Sequence, residues 1–288
     1  MRWKLGRPSA NVEDRRGESA GWGARRLPFG VGGFLVLLVL SAVFHKNLFA
    51  LLDSPGGAPA PMTANGPTPV PQSSAQEDEL VQFVSFVLED AQGSWVKLFP
   101  SLGGEHQDAK LVLFRDAIES TCGFTSAASG PFYCGLDRKV YVDLGFYDDL
   151  RDRFGAPGDF AQAYVIAHEI GHHVQNLLGV QEQVRRAQSS DPGSANELSV
   201  RLELQADCYA GGWGHEAAQR GVLDPGDLDE GLTAAAAIGD DRIQRSTTGR
   251  IVPEAFTHGS SEQRTRCFRR GLESGRCEDC DTFAGQIP

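Results

Sequence analysis

The chain has 288 residues, of which 41% are hydrophobic and 23% charged, a composition typical of a globular protein with a buried core. Its formal net charge is -11. Residues 1–28 carry seven Lys and Arg against three acids, a net of +4, so the rest of the chain carries -15. An acidic body of this kind argues against nucleic acid or another polyanion as a partner.

An apolar segment follows the basic N-terminal region. Residues 1–28 are polar, rich in Gly and Arg and without helical or strand period, which predicts a disordered tail. Residues 29–52 predict one transmembrane helix if Lys46 extends its amine to the interface. Because Lys and Arg are concentrated before this helix, the tail is predicted in the cytoplasm and the rest outside the bacterial inner membrane. A cleaved signal peptide is the alternative, but Pro61 follows the nearest small-x-small site.

The folded domain is predicted to begin after a linker. Residues 53–77 hold six prolines and almost no large apolar side chain, which predicts an extended tether. Residues 78–288 are then the domain, and helical periodicity follows Asp78 at once. Short β-branched and apolar runs at 111–114 and 138–144 predict two strands.

Four further helices are predicted from capping and breaking residues. An N-cap at Asp159 predicts a helix over 160–178. The others are expected to begin at Ser194, at Asp224 with its following proline, and at Ser260. The fold class is therefore predicted as α+β, mostly α-helical, with a small β-sheet.

The helix over 160–178 contains the pattern H-E-x-x-H. His168 and His172 lie four residues apart, so on a helix both imidazoles face one point, with Glu169 beside them. This arrangement supplies two ligands and a general base for a zinc ion. His173 is turned away from that face, and we predict a packing or surface role for it.

A third zinc ligand is expected on the next helix. Glu203 and Asp207 lie four residues apart on one face. Two acids on a mixed helix are usually solvated. Beside an H-E-x-x-H motif, however, Glu203 can complete the three-ligand set of a catalytic zinc, and Asp207 can accept a hydrogen bond from a ligand histidine.

These motifs resemble a known family. The segments HEIGHH, ELQADCYAG and THGSSEQR resemble those of the bacterial neutral zinc metallopeptidases of the YpfJ type. The opening MRWKLGRPSANVEDRRG, the segment GPFYCGLDRKVYVDLGF and the terminal CDTF resemble the same family, so the likeness extends over nearly the whole chain. The spacing H-E-x-x-H with E-x-x-x-D is also similar to that of the gluzincins. The resemblance implies a zincin-like domain with one catalytic zinc ion on His168, His172 and Glu203, Glu169 as base, and Asp207 behind the ligands.

Two residues near the fourth helix are candidates for the same site. His258 lies in a loop at a helix start and can donate a hydrogen bond to a developing oxyanion, although an ordinary loop histidine is the alternative. Arg264 resembles a basic residue near the active site of related membrane-bound zincins, which implies binding to Asp207, Glu203 or substrate.

Six cysteines are expected outside the cytoplasm, where disulfides persist. Fifteen pairings are possible, and Cys122 with Cys134 is the easiest because a Gly-rich loop joins them. A redox C-x-x-C at Cys277 and Cys280 lacks the required strand and helix context. The family resemblance implies three disulfides: Cys122–Cys134, Cys208–Cys280 and Cys267–Cys277.

The predicted function is a membrane-anchored zinc metalloendopeptidase that hydrolyses peptide or protein substrates by a zinc-bound water activated by Glu169. A non-catalytic adaptor with a structural or vestigial metal site is one alternative, and Glu169 argues against it because a structural site does not need a base. A zinc amidase acting on the cell wall is the other alternative, and it would use the same residues.

Overall fold

The structure is a computed structural model that describes residues 1–6, 8–18 and 74–285. Within these ranges the chain forms eight α-helices: α1 (Ala75–Leu98), α2 (Phe146–Asp152), α3 (Asp159–Leu177), α4 (Val180–Ser190), α5 (Ala195–Gln219), α6 (Asp227–Ala237), α7 (Asp240–Thr247) and α8 (Ser261–Ser274). It also forms six strands: β1 (Val12–Asp14), β2 (Lys110–Phe114), β3 (Ala117–Ser120), β4 (Gly123–Ser126), β5 (Phe132–Cys134) and β6 (Lys139–Asp143). The predicted α+β class, mostly helical with a small sheet, is confirmed.

Four of the strands form one sheet in the order β1-β2-β6-β5. β1, β2 and β6 are parallel, whereas β5 runs antiparallel to β6. β3 and β4 form a separate antiparallel hairpin. The two strands predicted at 111–114 and 138–144 are confirmed as β2 and β6. The other four are only three or four residues long, which leaves little periodicity for the sequence to display.

The described N-terminal residues belong to this sheet. β1 pairs with β2, and the carboxylate of Glu13 accepts a hydrogen bond from Lys139 Nζ at 2.8 Å. The predicted disordered tail over residues 1–28 is therefore wrong for the described part of that range. A three-residue polar strand is stabilised by main-chain hydrogen bonds and ion pairs, neither of which produces an apolar period.

After the linker, the folded domain begins before residue 78, where the sequence predicted it to start. Ser74 is the N-cap of α1, and it exchanges capping-box hydrogen bonds with Glu77. Ser74, as the cap, and residues 75–77, as the first turn of α1, therefore belong to the folded domain and not to the predicted linker at 53–77. The remainder of that linker and the predicted transmembrane helix at 29–52 lie outside the described residues.

The helices found in the described ranges include none that is both long enough and apolar enough to cross a bilayer.

Helix α3 is the centre of the domain. It packs against α1, α5, α6 and the sheet, and its apolar side chains are buried apart from Leu177 at its C-terminal end. A Cβ at Gly171 would lie 2.9 Å from the carbonyl oxygen of Ala206, so only glycine allows α3 and α5 to approach this closely. The contact brings the H-E-x-x-H turn of α3 against the middle of α5.

The predicted N-cap of α3 is wrong by one residue. The cap is Gly158, with φ at 118°, a conformation that favours glycine. Asp159 lies in the first turn, where its carboxylate accepts hydrogen bonds from the amino group of Met1 at 2.9 and 3.0 Å. The Asp159 carboxylate therefore pairs with the positively charged amino group of Met1 instead of capping α3.

Two of the three predicted disulfides are present, Cys122–Cys134 and Cys208–Cys280. The third is wrong, because Cys267 and Cys277 are both free and buried. Cys267 lies in the middle of α8 and Cys277 in the turn that follows it, and both side chains are packed within the main hydrophobic core. Burial raises the pKa of both thiols to about 12, so they stay protonated.

Candidate metal centre

Three predicted ligands meet where α3 contacts α5. His168 and His172 lie on one face of α3, and Glu203 faces them from α5. The Nε2 atom of His168 is 3.2 Å from Glu203 Oε2, and that of His172 is 3.4 Å from Glu203 Oε1. One ligand atom from each of the three residues lies within 4.8 Å of the ligand atoms of the other two. The structure thus brings together the residues that the sequence predicted.

Hydrogen bonds on the far side of each imidazole set the direction of its lone pair. His168 Nδ1 lies 2.9 Å from Asp207 Oδ1, and His172 Nδ1 lies 2.9 Å from Gln175 Oε1. Because both partners are acceptors, each ring carries a proton on Nδ1, and the Nε2 atom that faces Glu203 is the one left to bind a metal ion. Two lone pairs and a carboxylate therefore converge on one point, which favours a cation between them.

The donor set fits zinc. Zinc binds His nitrogen and carboxylate oxygen at about 2.0–2.2 Å, and tetrahedral geometry then places the ligand atoms roughly 3.4 Å apart. The two distances to Glu203 agree with that spacing. Two histidines and one carboxylate also leave a fourth position open, as catalytic zinc sites do.

The electrostatics of the cluster likewise favour a positive charge. Burial lowers the pKa of His168, but the charge and hydrogen bond of Asp207 and the bond to Glu203 outweigh it and raise the pKa to about 10. Burial raises the pKa of Glu203, yet the two histidines reverse this and hold the pKa well below its usual range. The pocket is therefore poised to stabilise a cation.

A buried network lies behind His168. Asp207 is fully buried, and its carboxylate accepts hydrogen bonds from Arg264 Nε at 2.9 Å and from Arg264 Nη2 at 3.0 Å. The hydroxyl of Tyr164 donates to the same carboxylate at 2.5 Å. Of the three partners proposed for Arg264, the structure shows Asp207. Tyr164 was not predicted, although it lies one helical turn before His168 on the same face.

Removing the arginine is expected to destabilise the fold. Arg264→Leu leaves Asp207 as a buried carboxylate without its cation, and breaking a buried pair in this way costs about 3–5 kcal/mol. Urea denaturation of the metal-free protein measures the change in the free energy of unfolding. Arg269→Leu, at an exposed position of the same helix, is the control and should change stability by less than about 0.5 kcal/mol. Equal losses in the two variants would contradict this account of the ion pair.

Glu169 lies beside the ligands and is 7% exposed. Burial raises the pKa of its carboxyl above the ordinary value, and the nearby charges of His172 and His168 offset only part of that increase. A carboxylate with a raised pKa is a better proton acceptor near neutral pH. The site therefore holds a group suited to general-base chemistry.

His258 lies in the loop between α7 and α8. Asp240 Oδ2 accepts hydrogen bonds from the backbone N–H of Thr257, His258 and Gly259, at 2.7, 2.7 and 3.1 Å. The His258 ring is half-exposed, with Nδ1 3.2 Å from Asp240 Oδ1. A Cβ at Gly259 would lie 3.3 Å from side-chain atoms of Val200 and Leu204, so this loop packs closely on the part of α5 that carries Glu203.

His173 is separate from the cluster. It is fully buried, its Nε2 donates to the carbonyl of Gln107 at 2.6 Å, and its Nδ1 lies 2.9 Å from the Tyr133 hydroxyl. Burial lowers its pKa to about 4, so the ring is neutral. Its packing role agrees with the prediction.

Comparison with known proteins identifies the family. Residues 1–283 match the family described as "Putative neutral zinc metallopeptidase". The protein YpfJ of Escherichia coli (strain K12) is 46% identical over 294 aligned positions, covering 100% of both chains. The protein Rv2575 of Mycobacterium tuberculosis (strain H37Rv) is 45% identical over 201 positions, or 66% of each chain. No solved structure matches the chain. With a family match of this extent, and with two histidines and a glutamate converging at the contact of α3 and α5, the chain belongs to the neutral zinc metallopeptidase family.

Proposed function

We propose that the protein is a zinc-dependent metallopeptidase that hydrolyses peptide bonds at the contact of α3 and α5. One observation carries the proposal: His168, His172 and Glu203 converge with metal-ligand spacing, and Glu169 lies beside them with a raised pKa. A site that only stabilised the fold would not need this fourth group. The family description supports a peptide or protein as the substrate.

The roles of the residues follow from their positions. Zinc, when bound, would lower the pKa of a water molecule and polarise the scissile carbonyl. Glu169 would accept a proton from the attacking water and deliver it to the leaving amine. Asp207 keeps the proton of His168 on Nδ1, so that its Nε2 remains a ligand atom. His258 would donate a hydrogen bond to the carbonyl oxygen as negative charge develops on it.

Metal removal tests the proposal directly. The purified full chain is expected to contain one zinc per molecule by elemental analysis and to cleave an unstructured protein such as casein. A chelator should abolish cleavage, and one equivalent of zinc should restore it, because the three ligands belong to one site. A protein that binds no stoichiometric zinc would refute the proposal. Hydrolysis of peptidoglycan amides without cleavage of any peptide would assign the site to a cell-wall amidase instead.

The role of His258 predicts a pH dependence. The hydrogen bond to Asp240 raises the pKa of His258 above 6.5, although burial partly offsets this. The charged donor is therefore fully present below pH 6.5, and its contribution is lost as pH rises through the raised pKa. His258→Gln should lower kcat by roughly 10²-fold below that pKa.

The difference between wild type and His258→Gln, measured as kcat/KM from pH 5.5 to 9, should shrink as pH rises. In Asp240→Asn the same decline should begin at lower pH, since the carboxylate no longer stabilises the charged ring. If the kcat/KM profiles of wild type and His258→Gln run parallel over this pH range, His258 does not act as a charged donor.

We also propose that residues 29–52 attach the protein to the bacterial inner membrane, with the catalytic domain outside the cytoplasm. The apolar character of the segment supports attachment. The disulfides Cys122–Cys134 and Cys208–Cys280 support an oxidising compartment for the domain, because such bonds are rare in the cytosol.

A further inference from the structure

A chain of buried amides runs from His172 to the C-terminal disulfide. Gln175 Oε1 accepts from His172 Nδ1, and Gln175 Nε2 donates to Gln205 Oε1 at 3.1 Å and to the carbonyl of Leu202 at 2.7 Å. Gln205 Nε2 donates in turn to the carbonyl of Cys280 at 3.2 Å. Gln175 and Gln205 are 0% and 5% exposed, so water does not compete for these bonds.

We propose that Gln175 and Gln205 are positioning residues for His172, and that the Cys208–Cys280 disulfide fixes the far end of this amide relay. The proposal rests on the proposed function, since it assigns the relay the task of holding His172 as a zinc ligand.

Two main-chain carbonyls, those of Leu202 and Cys280, determine the direction of every hydrogen bond in the relay. Main-chain carbonyls can only accept, so Leu202 and Cys280 require an NH₂ group from each glutamine. With its nitrogen committed to Leu202, Gln175 presents its oxygen to His172, and that oxygen can only accept. His172 must therefore carry its proton on Nδ1 and direct an unprotonated Nε2 at the metal position.

The far end of the relay is held covalently. Cys280 is bonded to Cys208, which lies on α5 next to Asp207. The residues after Cys280 are fastened to the same helix, because Arg201 donates to the carbonyl of Thr282 at 2.6 Å and the Thr282 hydroxyl donates to the carbonyl of Arg201 at 2.6 Å. The carbonyl that orients Gln205 therefore moves with α5.

The relay complements the network behind the other histidine. His168 is oriented by a charged carboxylate that Arg264 holds, whereas His172 is oriented by neutral amides. The neutral relay is weaker per bond and depends on every member being paired, because an unpaired buried amide costs about 1–3 kcal/mol. Loss of one amide should therefore loosen His172 specifically.

Zinc affinity, measured by competition with a chromogenic chelator, tests the relay. Gln175→Met keeps the length of the side chain and removes the acceptor, so zinc affinity should fall by about 10–100-fold. Gln175→Glu keeps an acceptor for His172 but loses the NH₂ that bonds Leu202 and Gln205, so it should recover only part of the affinity lost in Gln175→Met. Gln188→Met is the matched control, because this glutamine also bonds α5, through Ala195 and Ser199, but lies outside the relay. Equal affinities for Gln175→Met and Gln188→Met would overturn the proposal.

The disulfide is tested by a second pair of variants. Replacing Cys208 and Cys280 by alanine should weaken zinc binding about 10-fold, whereas replacing Cys122 and Cys134 should leave it unchanged. If both double variants bind zinc as wild type does, the disulfide does not belong to the relay.

Nitrogen NMR of the metal-free protein provides a readout that depends on neither zinc nor activity. At a pH high enough to leave His172 neutral, its proton should be on Nδ1 in wild type and in Gln188→Met, and the ring should become a mixture of tautomers in Gln175→Met. An unchanged tautomer would overturn the relay even for a variant of lowered stability. A wild type with this tautomer but no zinc would instead refute the proposed function and leave the relay intact.

Discussion

Glu169→Gln is expected to lower kcat by about 10³-fold or more while leaving one zinc per molecule. Glutamine has nearly the same shape as glutamate and preserves the packing of α3, but it cannot accept the proton of an attacking water. A positioned acid or base contributes roughly 10²–10⁴-fold to rate, and Glu169 would act in both capacities in one turnover. Because Glu169 is buried, bulk water cannot take over its role as proton acceptor, so the fall in kcat should be larger than at an exposed site.

Single-turnover cleavage and elemental analysis on the same preparation separate chemistry from metal loading. Glu79→Gln, an exposed glutamate on α1, is the control and should behave as wild type in both measurements. If Glu169→Gln cleaves every substrate as fast as the control, then another group serves as the base and the mechanism is wrong. If it loses zinc, Glu169 belongs to the ligand set.

Glu203→Gln is expected to weaken zinc binding by more than the roughly 10–100-fold that follows loss of a residue behind the ligands. The substitution removes the one carboxylate that faces both His168 and His172 and that balances the charge of the ion. Activity should fall in proportion to zinc occupancy and recover partly when excess zinc is supplied.

Competition with a chelator measures the affinity, and Glu216→Gln provides the comparison on the same helix more than three turns away. We expect the control to bind zinc as tightly as wild type. A Glu203→Gln protein that retained wild-type affinity would show that the third ligand comes from elsewhere, and the pairing of α3 with α5 would then have another purpose.

The parts of the site that were predictable are those set by helix geometry. Residues four apart on one helix face the same way, so the directions of His168 and His172, and of Glu203 and Asp207, follow from spacing alone. Capping residues marked the helix starts only approximately, since Gly158 caps α3 in place of Asp159 and Ser194 makes no side-chain cap hydrogen bond, but the structure forms a helix in each predicted region. What spacing could not supply was the distance between the two helices, which depends on Gly171 against Ala206.

Other features depend on contacts between segments far apart in sequence. The Gln175–Gln205 relay joins α3, α5 and the C-terminal segment, and a glutamine on a helix face is equally compatible with solvent. The free thiols of Cys267 and Cys277 show the same limit, because an even count of cysteines says nothing about which sulfurs approach each other. Short polar strands such as β1 are missed because no apolar pattern marks them.

β1 precedes the apolar segment 29–52 in the chain, and β2, its hydrogen-bonded neighbour, follows it. Two strands of one sheet occupy one aqueous compartment, so a single crossing at 29–52 would separate β1 from its partner. In a molecule folded this way, Glu18 and Ser74 lie on the same side of any bilayer, and the 24 residues of 29–52, which include Lys46, are too few for two crossings of about 20 each. Two arginines that suggested a cytoplasmic tail are instead ion-paired within the N-terminal region, Arg15 with Glu18 and Arg16 with Asp14. The pairing of β1 with β2 therefore places the beginning of the chain and helix α3 in the same solution.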